Sequence, residues 1–392
     1  MDPVRNPYSP NAGAPPPALV GRDALFDSFD TALRRTQIGR SQKSMLPTGL
    51  RGVGKTVLLN RFVEQARALG YVVAQVEASE SETFLETLAT EARTALYDLS
   101  AKAKTRGAVS KALGVLKSFT LTFGMSDLSL RLGVDAHAGA GDSGVLSTDL
   151  TALFVSIGEA AREEQSAALI AIDELQYLSE DQLAAIIMAV HRVTQLSLPL
   201  LVVGTGLPQL PALAGSAKSY AERLFEYPNI GALSREEVFE AIRRPAQNEG
   251  ADIEEPALER LYEITQGYPY FIQEWAYRVW NSATKSPITL QDVEEVEPEV
   301  LSRLDESFFR VRYDRLTPRE KHYLRAMAEL GAGPHRSGDI AAIQHVRVES
   351  LSPVRSGLIR KGMIYSPQHG DTAFTVPLFD AFMRRTIPTL DP

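Results

Sequence analysis

The stretch Thr48–Asn60, TGLRGVGKTVLLN, constrains this chain more than any other feature. Gly49, four intervening residues and then Gly54-Lys55-Thr56 follow a short apolar run and lead into a helical pattern. Glycines at that spacing let the backbone N–H groups of Leu50, Arg51, Gly52, Val53 and Gly54 curl around phosphate oxygens, and the helix opening at Lys55, Thr56 and Val57 adds positive potential. In this strand, loop and helix context the spacing is a Walker A pattern, in which Lys55 reaches the β- and γ-phosphates and the Thr56 hydroxyl ligates Mg²⁺. The expected ligands are therefore ATP or ADP with Mg²⁺.

A partner for that loop lies downstream in ALIAIDELQ. An apolar strand ending in Asp173-Glu174 places one carboxylate beside Mg²⁺ and the next within reach of an attacking water. Two acids at a strand end are common by themselves; downstream of a Walker A they read as catalytic. Thr205 closes the next apolar run, where its hydroxyl either senses the γ-phosphate or belongs to an ordinary strand-to-loop turn. Arg223, in YAERLFEY, is either an arginine finger acting from a neighbouring subunit or a surface arginine on a helix.

Around these motifs, short apolar runs alternate with amphipathic helices, which predicts an α/β domain with a mostly parallel five-stranded sheet. The expected strands are Ser44–Thr48, Tyr71–Ala78, Ala168–Asp173, Pro199–Thr205 and Tyr227–Leu233. Pro47 is discordant, because a central strand would lose a ladder hydrogen bond there. Asp23 is placed to cap the first helix.

With 392 residues, two or three domains are expected, and 44% apolar residues suffice for their cores. Residues 1–18 hold six prolines and read as an extended arm. Residues 19–233 form the nucleotide-binding core, 234–315 a helical lid opened by the capping-box spacing Ser234 to Glu237, and 316–392 a winged helix. Within the core, residues 99–147 form a long insertion. It starts with a basic helical segment carrying Lys102, Lys104, Arg106, Lys111 and Lys117, followed by a hairpin of the alternating runs Phe119/Leu121/Phe123 and Leu128/Leu130/Leu132/Val134. The chain has no cysteine and six scattered histidines, so disulfides, thiolate chemistry and a side-chain metal cage are not expected. No apolar run approaches membrane-spanning length and the N-terminus lacks a signal-peptide pattern, so a cytoplasmic protein is expected.

The order VGRD, GLRGVGKT, LIAIDELQ, GTGLP, AERLFEY, QGYPYF and a terminal winged helix resembles the bacterial ORC-like AAA+/STAND ATPases, relatives of the archaeal origin-recognition initiators. That resemblance implies slow, regulatory ATP hydrolysis. It implies an adenine pocket lined by Val20, Gly21 and Arg22, and contact between nucleotide and lid through Pro269, the proline of a GxP-like GYP. The chain departs from the initiators in having no lid arginine in GYPYFIQEW and a long separation between its two Walker motifs. Both argue against a processive motor.

The net charge of -8 is uneven: residues from Leu316 onward hold ten Lys/Arg against seven Asp/Glu. In a winged helix the second helix of the helix-turn-helix enters the major groove and the hairpin wing reaches the backbone. SLSPVRSGLIRKG is expected to be that helix, with Pro353 in its first turn and Arg355, Arg360 and Lys361 facing phosphate; Gln368 and His369 are expected at the wing tip. Double-stranded DNA is the favoured partner, with lower weight for the Lys102–Lys117 segment as a second contact. The alternative is a signalling or defence switch whose winged helix serves an ATP-dependent homo-oligomer or a protein partner. A small-molecule kinase is disfavoured, since Glu174 beside Asp173 suits water as the nucleophile.

Overall fold

The computed structural model describes residues 1–11, 13–79, 83–102, 107–368 and 370–390. The chain divides into two compact units, one of Arg22–Thr48 with Lys55–Asn229, the other of Met1–Gly21, Gly49–Gly54 and Ile230–Pro392. It therefore passes from one to the other within the Walker A segment.

The first unit is built on a five-stranded parallel sheet in the order Val72–Glu77, Ala168–Asp173, Leu200–Gly204, Ser44–Met45, Phe225–Glu226. Ala168–Asp173 is buried along its whole length, as expected for a continuous apolar strand covered on both faces. Its register, with Ile172 opposite both Val76 and Gly204, delivers Asp173 to the carboxyl edge of the sheet, where open α/β sheets bind their ligands.

Pro47 is accommodated because the strand it interrupts is only two residues long, Ser44–Met45. Leu46 and Thr48 donate to the carbonyls of Glu226 and Pro228, and Pro47, facing the other way, needs no N–H and accepts from Gly206 at 3.1 Å. Similarly, the run expected as one strand over Tyr227–Leu233 contributes to this sheet only through Phe225–Glu226. Asp23 is the first residue of the helix Asp23–Gln37 and not its cap; Arg22 holds the N-cap position and makes no side-chain capping bond.

The insertion is helical where a hairpin was expected. Gly107–Thr122 and Ser126–Leu130 are helices, and Val109, Ala112, Leu113, Leu116 and Phe119 form the buried stripe at helical spacing. The alternation that suggested strands is not a buried face, since Leu121 is 51% and Leu130 80% exposed.

In the second unit, Arg235–Asn248, Glu255–Thr265, Pro269–Ser282 and Leu290–Arg303 form the helical lid, the first opened by the expected Ser234/Glu237 capping box. The last of them continues through a π-helical segment, Leu304–Phe309. The N-terminal arm is packed onto these helices. Tyr8 is buried and donates from its hydroxyl to the Ile242 carbonyl at 2.7 Å, and Asn6 donates to the Tyr277 carbonyl at 2.9 Å.

The C-terminal part has helices Pro318–Glu329, Ser337–Ile343 and Val348–Arg360, then strands Ile364–Tyr365 and Asp371–Phe374. Asp371–Phe374 pairs antiparallel with Ile364–Tyr365 and with His335–Arg336, and Phe379–Thr386 closes the domain. Helix, strand, helix, helix and hairpin is the winged-helix order. The third helix starts four residues earlier than expected, so Pro353 lies inside it and not in its first turn. Lid and winged helix share one core: Tyr270 stacks on Phe308 at 4.6 Å between ring centroids, and Phe309 on Phe382 at 5.2 Å.

Candidate nucleotide-binding and hydrolytic site

In the first unit the sheet edge gathers Thr56, Asp173, Glu174 and Thr205. Asp173 is 6% exposed, and its two oxygens are shared out. Oδ2 accepts from the Thr56 hydroxyl at 2.6 Å, while Oδ1 accepts from the Glu174 amide at 2.8 Å and from the fully buried Thr205 hydroxyl. The Thr205 hydroxyl is thus turned to orienting Asp173. Thr56 and Asp173 present two hard oxygens side by side, a fit for Mg²⁺, which takes few protein ligands and completes its shell from water and phosphate. Among the described residues no cluster of three His, Cys, Asp or Glu could hold a metal by itself. Lys55 opens the helix Lys55–Ala68 and is buried, with Val57 half-buried in the same first turn.

Glu174 has φ +56°, ψ +40°, a left-handed conformation that costs a non-glycine residue about 1–3 kcal/mol and persists only where its surroundings over-determine it. Three contacts do so. The Leu175 amide donates to the Thr205 carbonyl at 2.9 Å, the Gln176 side-chain amide donates to Glu174 Oε2, and Gln176 Oε1 accepts from the Leu207 amide at 3.0 Å. Gln176 thereby ties the Glu174 carboxylate to the loop after the Thr205 strand. Sequence reasoning passed over this residue, although DELQ places an amide two residues beyond the candidate base, within reach if the chain turns sharply. Arg223 is exposed on the short helix Ala221–Leu224. Arg22 is half-buried at the start of this unit's first helix.

The second unit holds Gly49–Gly54. A side chain at Gly49 is excluded, since a Cβ there would lie 2.2 Å from the Ile230 carbonyl oxygen. Gly52 and Gly54 have φ of +82° and +88°, the left-handed values that a loop curling its N–H groups inward requires. Val53 is buried, and Leu50 and Arg51 are half-buried. Pro269 occupies the first position of the helix Pro269–Ser282, where its missing N–H is harmless. The next amide, Tyr270, is one of the helix's orphan N-terminal donors, and it donates to the Gly52 carbonyl at 3.1 Å. Within this unit the residue of the GYP segment that bonds to the glycine loop is therefore Tyr270. Val20 is buried, and a methyl group on Gly21 would meet Glu237 of the lid at 2.3 Å.

The same loop reaches the C-terminal domain. The Arg51 amide donates to the Thr375 carbonyl at 3.0 Å, and the Arg51 guanidinium lies 2.6 Å from where a Cβ on Gly362 would be.

Residues 18–203 match the family model described as AAA ATPase domain, and residues 306–383 match a Domain of unknown function (DUF8462). Residues 18–203 are an AAA ATPase domain. No curated protein matches the chain. Among solved structures, the Walker-type ATPase PABY2304 of Pyrococcus abyssi is 16% identical, covers 93% of this chain and 96% of its own, and superposes with a TM-score of 0.58, a likeness of fold. The Thermotoga maritima RuvB Holliday junction branch migration motor is 16% identical over 95% of this chain and 96% of that one, at 0.45. The Aeropyrum pernix ORC1 protein in complex with DNA is 15% identical over 95% and 94%, at 0.43. Those two scores carry no further inference. No helix among the described residues of this AAA ATPase chain is long and apolar enough to cross a membrane.

The candidate DNA contacts fare unequally. Arg355 donates to Thr372 Oγ1 at 2.9 Å and the Asp371 carbonyl at 3.0 Å, and Lys361 pairs with Glu320 at 2.7 Å, so neither stands as the solvent-facing phosphate contact expected. Arg360 and Gln368 are exposed; His369, Lys104, Arg106 and the Lys102 side chain lie outside what is described. In the insertion, Lys111 pairs with Glu159 at 3.1 Å and Lys117 donates to the Val134 carbonyl at 2.6 Å. Both basic groups are committed within the unit.

Proposed function

We propose that the chain is an ATP-binding, slowly hydrolysing switch of the ORC-like kind, acting in the cytoplasm, which couples nucleotide state to binding of double-stranded DNA through its C-terminal winged helix. Mg²⁺ is held by Thr56 and Asp173, Lys55 neutralises phosphate charge, and Glu174 takes the proton of the attacking water. The observation that carries this reading is the Arg51 amide bonded to the Thr375 carbonyl. A loop whose N–H groups must turn towards phosphate cannot be reshaped by a nucleotide without affecting the domain it is bonded to, and the Gly52–Tyr270 bond extends the effect to the lid. Slow turnover follows, since a switch needs long-lived states.

The test is fluorescence anisotropy of mixed-sequence duplex DNA with Glu174→Gln, in ADP and in ATP, over a salt series. The proposal expects affinity to differ between nucleotides and to fall steeply with salt. Equal affinity in ADP, ATP and no nucleotide refutes the coupling. A second reading is a STAND-type signalling or defence ATPase, favoured by the contact of the GYP segment with the glycine loop. Here the winged helix serves an ATP-dependent homo-oligomer, with Arg223 acting across the subunit interface, or a protein partner. It requires ATP-dependent assembly in sedimentation and no DNA affinity.

A further inference from the structure

The winged helix holds a cavity of about 230 Å³ whose walls include Tyr323, Ser352, Arg355 and Ser366 on the polar side and Val348 and Leu351 on the apolar side. Two of these groups are anomalous as packing residues. Tyr323 is 1% exposed, and its hydroxyl makes no hydrogen bond. Burial pushes the Tyr323 pKa up, so the hydroxyl is a protonated donor at neutral pH. Arg355 is half-buried and pairs with no carboxylate among the described residues. Its bonds to Thr372 and Asp371 use two of five N–H donors, which leaves three and the full positive charge. A buried donor without an acceptor and a half-buried cation without an anion each cost free energy. One anion in the cavity would satisfy both.

We propose that this cavity is a receptor for a single phosphate group, bound by Arg355, Tyr323 and the Ser352 hydroxyl. Donors from three separate elements, the first helix, the third helix and its outer face, suit a tetrahedral anion better than a planar carboxylate, which the arginine fork alone would satisfy. The apolar wall of Val348 and Leu351 excludes water from one side and accommodates the carbon substituent of a phosphoester. The phosphate belongs either to a duplex backbone, in which case the inference rests on the DNA-binding reading above, or to a free phosphoester, in which case it does not.

The experiment is amide hydrogen exchange on the full chain saturated with Mg·ADP, so that the Walker A loop is filled in every sample. The added probes are inorganic phosphate and, separately, mixed-sequence duplex DNA. At least one should slow exchange in segments 348–358 and 370–375 by about threefold or more. Tyr323→Phe, which removes only an unpartnered hydroxyl and should fold, and Ser352→Ala, at an exposed position, should each abolish that protection. Protection by phosphate without protection by duplex supports a small-phosphoester site while the DNA reading fails. Protection by duplex alone supports a backbone-phosphate site, and protection by both supports the receptor for either source. No protection by either probe, or the same protection in Tyr323→Phe, overturns the proposal.

Discussion

Replacing Gln176 with alanine isolates the role of the strained Glu174. The substitution removes one charge-assisted hydrogen bond to the candidate base and leaves the Leu207 amide without its acceptor. A hydrogen bond to a charged group is worth about 1.5–3 kcal/mol, and Glu174 sits in a backbone conformation about 1–3 kcal/mol above the alternatives. Without the tether the carboxylate should spend most of its time away from the attacking water. If the bond energy appears in the barrier, kcat falls about 10- to 100-fold, at 1.36 kcal/mol per factor of ten. Nucleotide affinity should stay unchanged, because Lys55, Thr56 and Asp173 keep their contacts. The assay is single-turnover ATP hydrolysis alongside fluorescent-nucleotide binding. Unaltered kcat, or kcat and affinity lost together, would refute the positioning role.

Thr205→Val removes the hydroxyl from Asp173 Oδ1 and should raise the Mg²⁺ concentration needed for half-maximal hydrolysis by about tenfold, the cost of one hydrogen bond to a charged group. An unchanged Mg²⁺ requirement would mean that Thr205 does not orient Asp173. In the winged helix, burial alone would raise the pKa of Glu320, but Lys361 and the Thr317 cap hold it below the ordinary carboxylate value. Its contribution to stability is therefore present above the unfolded pKa and is lost as pH falls through the native one. Glu320→Gln keeps the cap but discards the charge. It should lower stability by about 1–2 kcal/mol at pH 7, allowing for the partly exposed Lys361, and the difference should vanish in acid. Urea melts at both ends of that range check it.

The features legible in the sequence were those with one physical solution. Ala168–Asp173 could only be a strand buried on both faces, and the Walker A glycines only a tight loop. The insertion misled because Phe119, Leu121 and Phe123 alternate while also lying on a helix whose buried stripe runs through Val109, Ala112, Leu116 and Phe119. Periodicity over five residues cannot separate the two. Arg355 and Lys361 read as solvent-facing because spacing along one helix does not reveal that Thr372 and Glu320 lie against it. Gln176 and Tyr270 were invisible for the same reason: their partners, Leu207 and Gly52, are distant in sequence and meet them only in the fold.

The central claim, that nucleotide and C-terminal domain are coupled, is tested most directly by its reciprocal. The affinities of Glu174→Gln for ATP and ADP are measured with and without saturating duplex DNA. Linkage requires the ratio of the two affinities to shift by the same factor by which nucleotide shifts DNA affinity, typically 5- to 150-fold for a coupling of about 1–3 kcal/mol. A shifted ratio, lost when Gly362→Ala displaces Arg51, is the predicted result. A ratio that DNA leaves unchanged would contradict the account.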